Sequence, residues 1–169
     1  KAWSLKDHGK DYDLVFNKQH PPGFRWLHKN IGTNWRMMPI QAVIGIEALK
    51  LLDKWVEHRR KIANIYNENL KEIAEKGGIR LTIPNKDIYH SYYKYYFFIN
   101  PERLKLSRDE IIKELNKNNI TATVGSCGEI YLEDALENFQ PNENLNNTKK
   151  LFDTAIMLLC DPTIKEDVA

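Results

Sequence analysis

Apolar residues fall into three regimes along the chain. From residue 8 to 38 they follow no period: Tyr12, Phe16, Phe24, Trp26 and Trp35 are scattered among Gly9, Pro21, Pro22, Gly23 and Gly32. Such punctuation predicts a loop-rich segment, and a loop that long inside a compact domain is usually functional or mobile. Aromatic-rich loops of this kind need something to pack on, such as a partner domain or subunit. From Pro39 the residues Ile40, Val43, Ile44, Leu49, Leu52, Trp55, Val56, Ile62, Tyr66, Leu70 and Ile73 recur at steps of three and four, which is helical spacing. Pro39 suits the first turn and Gly77-Gly78 the stop. The predicted helix is longer than most and is expected to kink or divide near Asp53. Its charged stretch, Glu57 to Lys61, reads as a solvated face.

The third regime mixes periods. Tyr92 to Ile99 is a run of strong strand formers, and alternation would put two of its tyrosines on each face, one in the core and one under the long helix. Ser107-Arg108-Asp109-Glu110 reads as a capping box opening a helix through Leu115 to Lys117. Thr121 to Val124 and Thr154 to Leu159 read as strands, and Glu143 to Phe152 as helix. The sum is a small α+β or α/β layer packed on the long helix. Lys1 to Asp7 reads as a strand end or helix seen from its middle, and Thr163 to Glu166 as a capping box opening a further helix. Both ends are therefore expected to be those of a piece of a longer protein.

Composition narrows the function classes. With 169 residues and a net charge of +2 from interspersed acids and bases, the chain can bury one core and carries no electrostatic footprint for nucleic acid. Cys127 and Cys160 match no metal or redox spacing, so two free thiols in a reducing cytoplasm are expected. His20, His28, His58 and His90 show no ligand spacing, and no metal is expected. No apolar run is long enough to span a bilayer, and the opening residues do not read as a signal peptide, so a cytoplasmic location with no membrane partner is expected.

One segment carries candidate chemistry. Gly32-Thr33-Asn34-Trp35-Arg36-Met37 runs directly into Pro39-Ile40-Gln41-Ala42-Val43-Ile44-Gly45. A polar loop with an amide and a guanidinium just before a helix suits an anion. Its wording resembles the G-x-N-x-R-M-x-x-x-Q-A-x-x-G pattern of the DegT/StrS family of pyridoxal-phosphate sugar aminotransferases. The resemblance continues in Leu5 to Gly9 (the family's His-Gly loop), in Asp53 to Arg60, in Tyr92 to Pro101 and in Ser107 to Ile120. It also includes Val124-Gly125-Ser126-Cys127-Gly128-Glu129-Ile130-Tyr131-Leu132-Glu133, similar to a substrate-side loop in one branch of the family. Members of that branch tend to have His-Pro where Asp161-Pro162 stands, which puts substrate identity in doubt.

The resemblance implies the α/β (α+β) small domain of a fold-type-I aminotransferase with a long bridging helix and without the large cofactor-binding domain. Residues 1–38 would be the interface loop and the end of the large domain, 39–78 the bridging helix and 79–169 the small domain. The family works as a homodimer, here through residues 12–38 and the bridging helix, on a nucleotide-sugar substrate with an amino donor, plausibly glutamate. Its Schiff-base lysine, pyridine-facing aspartate and Ser/Thr phosphate cluster lie upstream of this sequence. No catalytic residue is thus expected in the chain, which should not transaminate alone or bind pyridoxal 5'-phosphate alone. A non-catalytic binding or regulatory module of the same family is the alternative.

By resemblance Asn34 reaches across the dimer to the cofactor phosphate, although an Asn there also suits the end of a turn. Arg36 is assigned with it to the cofactor, or else pairs with a carboxylate that shapes the loop. His8 is a substrate-side candidate able to move protons, or a loop-fixing hydrogen bonder. Gly125, Ser126, Cys127, Glu129 and Tyr131 are the substrate-binding candidates. Glycines allow close backbone approach and a carboxylate can hold sugar hydroxyls, while the bland reading is a turn leading into a helix.

Overall fold

The computed structural model describes residues 1–19, 27–126 and 128–167. The expectations that fall on His20 to Trp26 and on Cys127 lie outside the described residues. The chain forms two compact units, residues 1–50 and 51–169.

In the first unit, α1 (Ala2–Lys6) and α2 (Tyr12–Phe16) are single short turns of helix. Asp11 caps α2 by accepting the Leu14 N–H at 2.9 Å, which satisfies one of the free donors of a helix start. Trp3 joins the two helices edge-on, its ring 5.4 Å from Tyr12 and 5.6 Å from Phe16. The segment after α1 crosses the segment before α3 (Pro39–Leu49), with single-residue bridges pairing Asp7 with Asn34 and Lys10 with His28. The crossing is close enough to demand glycine. A Cβ on Gly9, where φ is +79°, would sit 1.7 Å from the Asn30 carbonyl oxygen, and one on Gly32 would sit 2.2 Å from the Gly9 nitrogen. Pro39 occupies the first turn of α3 as predicted, and the Gln41 side chain accepts the Met38 N–H at 3.0 Å. Ile40, Val43, Ile44, Ile46 and Leu49 are all more than half exposed.

The expected long helix is two helices, divided at Lys50–Leu51 close to Asp53: α3 belongs to the first unit, α4 (Leu52–Glu75) to the second. The Gly77-Gly78 stop is built as expected. Gly77 is left-handed at φ +74°, and the N–H groups of Gly77 and Gly78 return to the carbonyls of Ala74 and Ile73, which meets two of the helix's orphan acceptors.

The second unit holds β1 (Ile79–Leu81), β2 (Tyr95–Ile99), α5 (Pro101–Leu104), α6 (Arg108–Lys117), β3 (Ala122–Thr123), α7 (Asn146–Thr154) and β4 (Ala155–Leu158). The sheet order is β1-β2-β4-β3 with every pairing antiparallel, so of the two predicted layers the α+β one forms. Tyr95, Phe97 and Ile99 turn to one face and are buried there with Ile156 and Leu158. Ile62 and Ala63 of α4 complete the core, with Tyr66 and Leu70 of α4 and Ile111, Ile112 and Leu115 of α6 half-buried against it. Ile62 is fully buried, a burial that contributes about 1.5–3 kcal/mol. The Ser107 capping box that starts α6 is present: Glu110 Oε2 accepts the Ser107 N–H at 2.7 Å, and Ser107 Oγ accepts the Glu110 N–H at 3.3 Å.

Four expectations are corrected. The strand predicted from Tyr92 begins at Tyr95, because Tyr92 adopts a left-handed φ of +46° that no strand accommodates. The long helix covers the core face of the sheet rather than the opposite one: the Tyr66 ring lies tilted 5.1 Å from that of Tyr95, whose hydroxyl donates to Asn67 Oδ1 at 2.7 Å. Thr163 opens a turn, not a helix, since its N–H and hydroxyl both donate back to Asp161 Oδ1. The stretch Glu57 to Lys61 is no idle solvated face. Arg59 Nη1 donates to the carbonyls of Tyr93 (2.8 Å), Cys160 (3.3 Å) and Tyr92 (3.4 Å), and Arg60 Nη1 to that of His90 (2.8 Å). His58 Nε2 pairs with the Ile164 carbonyl at 2.6 Å.

Candidate functional site

The crossing in the first unit brings three of the predicted site residues together. His8 and Gly9 are consecutive left-handed residues, at φ +58° and +79°, and the tight reversal they make is fixed by the His8 N–H donating to the Thr33 carbonyl at 2.9 Å. Arg36 donates Nε–H to Asn34 Oδ1 at 3.2 Å and lies with Nη2 3.2 Å from His8 Nε2. A guanidinium can only donate, so His8 Nε2 is the acceptor, and the neutral ring carries its proton on Nδ1. By the same logic the Asn34 oxygen faces Arg36, and its NH₂ is directed elsewhere. Asn34 and Arg36 are exposed, so their remaining donors are accessible.

Asp7 anchors this cluster and was not among the residues singled out from the sequence. It is the one buried charged side chain among the described residues. Lys10 Nζ lies 3.3 Å and Arg36 Nε 3.6 Å from its Oδ1. Burial pushes the carboxyl up, but the hydrogen bond from Lys10 and the charges of Lys10, Arg36 and Lys6 outweigh it and hold it below its ordinary 3.8. The only signal for it in sequence is an acid directly before the His-Gly pair.

In the second unit the predicted Gly125 to Tyr131 stretch runs from β3 into a 3₁₀ turn over Ile130–Leu132. Gly125 is left-handed at φ +83°, and a Cβ there would lie 2.3 Å from the Tyr96 hydroxyl, so glycine lets Tyr96 approach the loop. Ser126 Oγ lies 3.5 Å from that hydroxyl. Glu129 accepts the Tyr131 hydroxyl and has Lys149 Nζ 3.9 Å from its Oε2. That hydrogen bond, followed by burial and the Glu129 charge, raises the Tyr131 pKa. Asp161 is spent on its turn, and the hydrogen bonds from Thr163 hold its carboxyl below the usual value. Among the described residues, no group of three His, Cys, Asp or Glu side chains is placed to hold a metal, and no helix is long and apolar enough to cross a membrane.

The donor set fits the phosphate end of pyridoxal phosphate: an exposed amide whose N–H groups face away from Arg36, and an exposed guanidinium held by Asp7, Asn34 and His8 with donors to spare. It does not supply a Schiff-base lysine. None of the described lysines is buried, whereas a nucleophilic lysine is activated by desolvation or a neighbouring cation.

The crystal structure of the aminotransferase from Psychrobacter cryohalolentis matches 98% of this chain with a TM-score of 0.85 and 36% identity. The match takes in 44% of that chain. An uncharacterised protein of Methanocaldococcus jannaschii is 39% identical over 122 residues, 71% of this chain and 30% of the relative. The GDP-perosamine synthase of Escherichia coli O157:H7 is 31% identical over 86 residues, 51% of this chain and 21% of the relative. The chain thus spans less than half the length of each. The family model for DegT/DnrJ/EryC1/StrS aminotransferases matches residues 2–169, and the chain belongs to that family.

Proposed function

We propose that this chain is the C-terminal portion of a nucleotide-sugar aminotransferase, acting in the cytoplasm, in which glutamate or a similar donor gives its amino group to a keto-sugar carried on a nucleotide. The observation that carries the reading is the Arg36–Asn34–His8 cluster, held by hydrogen bonds of 3.2 Å on a crossing that only glycine permits. Pyridoxal phosphate, when bound, supplies the electron sink for amino transfer. In this reading Asn34 and Arg36 hold its phosphate across a homodimer interface, and His8 keeps Arg36 in place. Gly125, Ser126, Glu129 and Tyr131 line the sugar side. The cofactor-anchoring lysine belongs to the part of the relatives that this chain does not match.

The exposed apolar side chains of α3, together with Trp35, Met37 and Met38, support a covered interface. A helix apolar around its whole circumference is stable only when buried. The absence of a buried lysine among the described residues favours the second reading, a non-catalytic module, for this chain taken alone.

The test is cofactor binding by the chain joined to a lysine-bearing family segment, followed by absorbance. Asn34→Ala should weaken pyridoxal phosphate by about tenfold, the loss expected for one hydrogen bond to a charged group. An unchanged affinity sinks the assignment, and no cofactor binding by either form favours the non-catalytic module.

A further inference from the structure

The connection between β1 and β2 meets α4 around a cavity of about 180 Å³. That is below the roughly 300–1,000 Å³ of sites for drug-sized ligands, so the space suits a small ion with its waters. One wall follows from helical spacing: Arg60, Asn64 and Asn67 stand at i, i+4 and i+7 of α4 and share a face. The other wall is a turn that presents Asn85 and Lys86, closed by the Ile88 N–H donating to the Asn85 carbonyl at 3.0 Å. Asn64, Asn85 and Lys86 are exposed, so the cavity is open to solvent.

Both walls offer donors. Arg60 Nη1 is spent on the His90 carbonyl at 2.8 Å, and its guanidinium stacks 4.2 Å from the Tyr89 ring centroid. The Tyr89 hydroxyl is held in turn by Glu57. Arg60 is thus fixed in place, while its Nε and Nη2 donors stay uncommitted among the described residues. Asn67 Oδ1 accepts the Tyr95 hydroxyl at 2.7 Å, which turns its NH₂ end to the Tyr92 hydroxyl and leaves that hydroxyl its own proton to give. Tyr92 lines the cavity and is only 6% exposed.

No carboxylate lines the cavity, and among the described residues neither Arg60 nor Lys86 is ion-paired. Uncompensated cations in a concave site concentrate anions. A planar carboxylate is satisfied by one guanidinium fork. Donors on two facing walls instead match acceptors that point in all directions, as those of a tetrahedral oxyanion do.

We propose that this cavity binds inorganic phosphate, with Arg60 and Asn64 donating from α4 and Lys86 from the turn. Bound phosphate would tie the turn to the helix and stabilise the second unit. The assignment does not depend on the function proposed above, and its test needs neither cofactor nor amino transfer.

Titration of the chain with sodium phosphate at constant ionic strength, followed by amide NMR, tests it. The signals of Asn64, Asn85 and Lys86 should shift together and saturate on one binding curve. Lys86→Gln should weaken that curve by about tenfold, the loss of one charge-assisted contact. Lys86 holds no other printed partner in the fold, and an unaltered melting curve without phosphate checks that the variant folds. Asn64→Ala, on the opposite wall, should also weaken it, and acetate should bind at least tenfold more weakly than phosphate. No saturable shift at these amides, or shifts confined to the Asn34 to Arg36 segment, overturns the site. Equal phosphate affinity in wild type and both variants overturns it as well. Acetate binding as tightly as phosphate overturns the choice of a tetrahedral ion.

Discussion

Arg36 holds the Asn34 amide by its oxygen, Nε–H to Oδ1 at 3.2 Å, and thereby fixes which end of the amide is available. A freely rotating Asn could offer oxygen or nitrogen to a ligand. This one offers N–H donors, which is what an anion requires. His8 and Asp7 hold Arg36 in turn, through Nη2 and Nε respectively.

The crossing that aligns these residues depends on Gly9. Gly9→Ala should cost about 1–3 kcal/mol from φ strain alone, with the backbone collision at Asn30 added to that. Hydrogen exchange should show loss of protection at the His8 and Thr33 amides. Gly45→Ala is the contrasting control: it sits within α3 with nothing within 4 Å of an added Cβ, and should stabilise by about 0.5–1 kcal/mol.

Arg59 ties α4 to two separate segments. Arg59→Ala leaves the carbonyls of Tyr92, Tyr93 and Cys160 without their donor and should destabilise the second unit by about 2–4 kcal/mol, measured by urea unfolding. Arg59→Lys, which lacks the planar fork, should recover part of the loss.

Asp7 predicts an acid sensitivity. Its folded pKa lies below the ordinary 3.8, so the stability it contributes is fully present above that value and is lost as pH falls through the lower, folded one. The amides of the Asp7–Asn34 crossing should therefore stay protected at pH 5 and lose protection below 3.8. Asp7→Asn should weaken the crossing at neutral pH and flatten this dependence.

Cys160 is buried, its Sγ 3.0 Å from the Arg59 carbonyl, and burial pushes its thiol up to about 11. Iodoacetamide should label it only as fast as the second unit unfolds, which a Cys127→Ser background isolates. The sign for stability is the reverse of that for Asp7. The folded state favours the protonated thiol, so stability should fall as pH rises from the ordinary 9.0 towards 11.

Much of the fold could be read from local chemistry. The Ser107 box, the Pro39 start, the Gly77-Gly78 stop and the helical stripe of Ile62, Tyr66 and Leu70 are set by neighbours within a turn or two, and each was predicted. The break at Lys50–Leu51 was only approximately visible, because both residues stay right-handed helical and neither is a breaker. What could not be read were long-range partners. Arg59 and Arg60 look like one solvated charge run until the carbonyls some 30 and 100 residues away are known. Tyr92 looked like strand because its propensity is high, and the Arg59 and His90 bonds overrode it. At the site, Asn34, Arg36 and His8 were found through their motif and do meet. Asp7 was missed because burial of a charge leaves no mark in the sequence.

The central claim, a cofactor phosphate held by Asn34 across a dimer, is tested most directly by complementation. In the longer protein, one variant carries Asn34→Ala and the other lacks the cofactor-anchoring lysine; with pyridoxal phosphate kept limiting, the first should keep about a tenth of wild-type amino transfer, in line with its tenfold weaker binding, and the second almost none. Mixed dimers then contain one intact site, and the account predicts recovery of about a quarter of wild-type amino transfer on subunit exchange, from the statistics of a two-fold dimer. No recovery on mixing, with exchange verified, would contradict it and place Asn34 in the same subunit's site or in none.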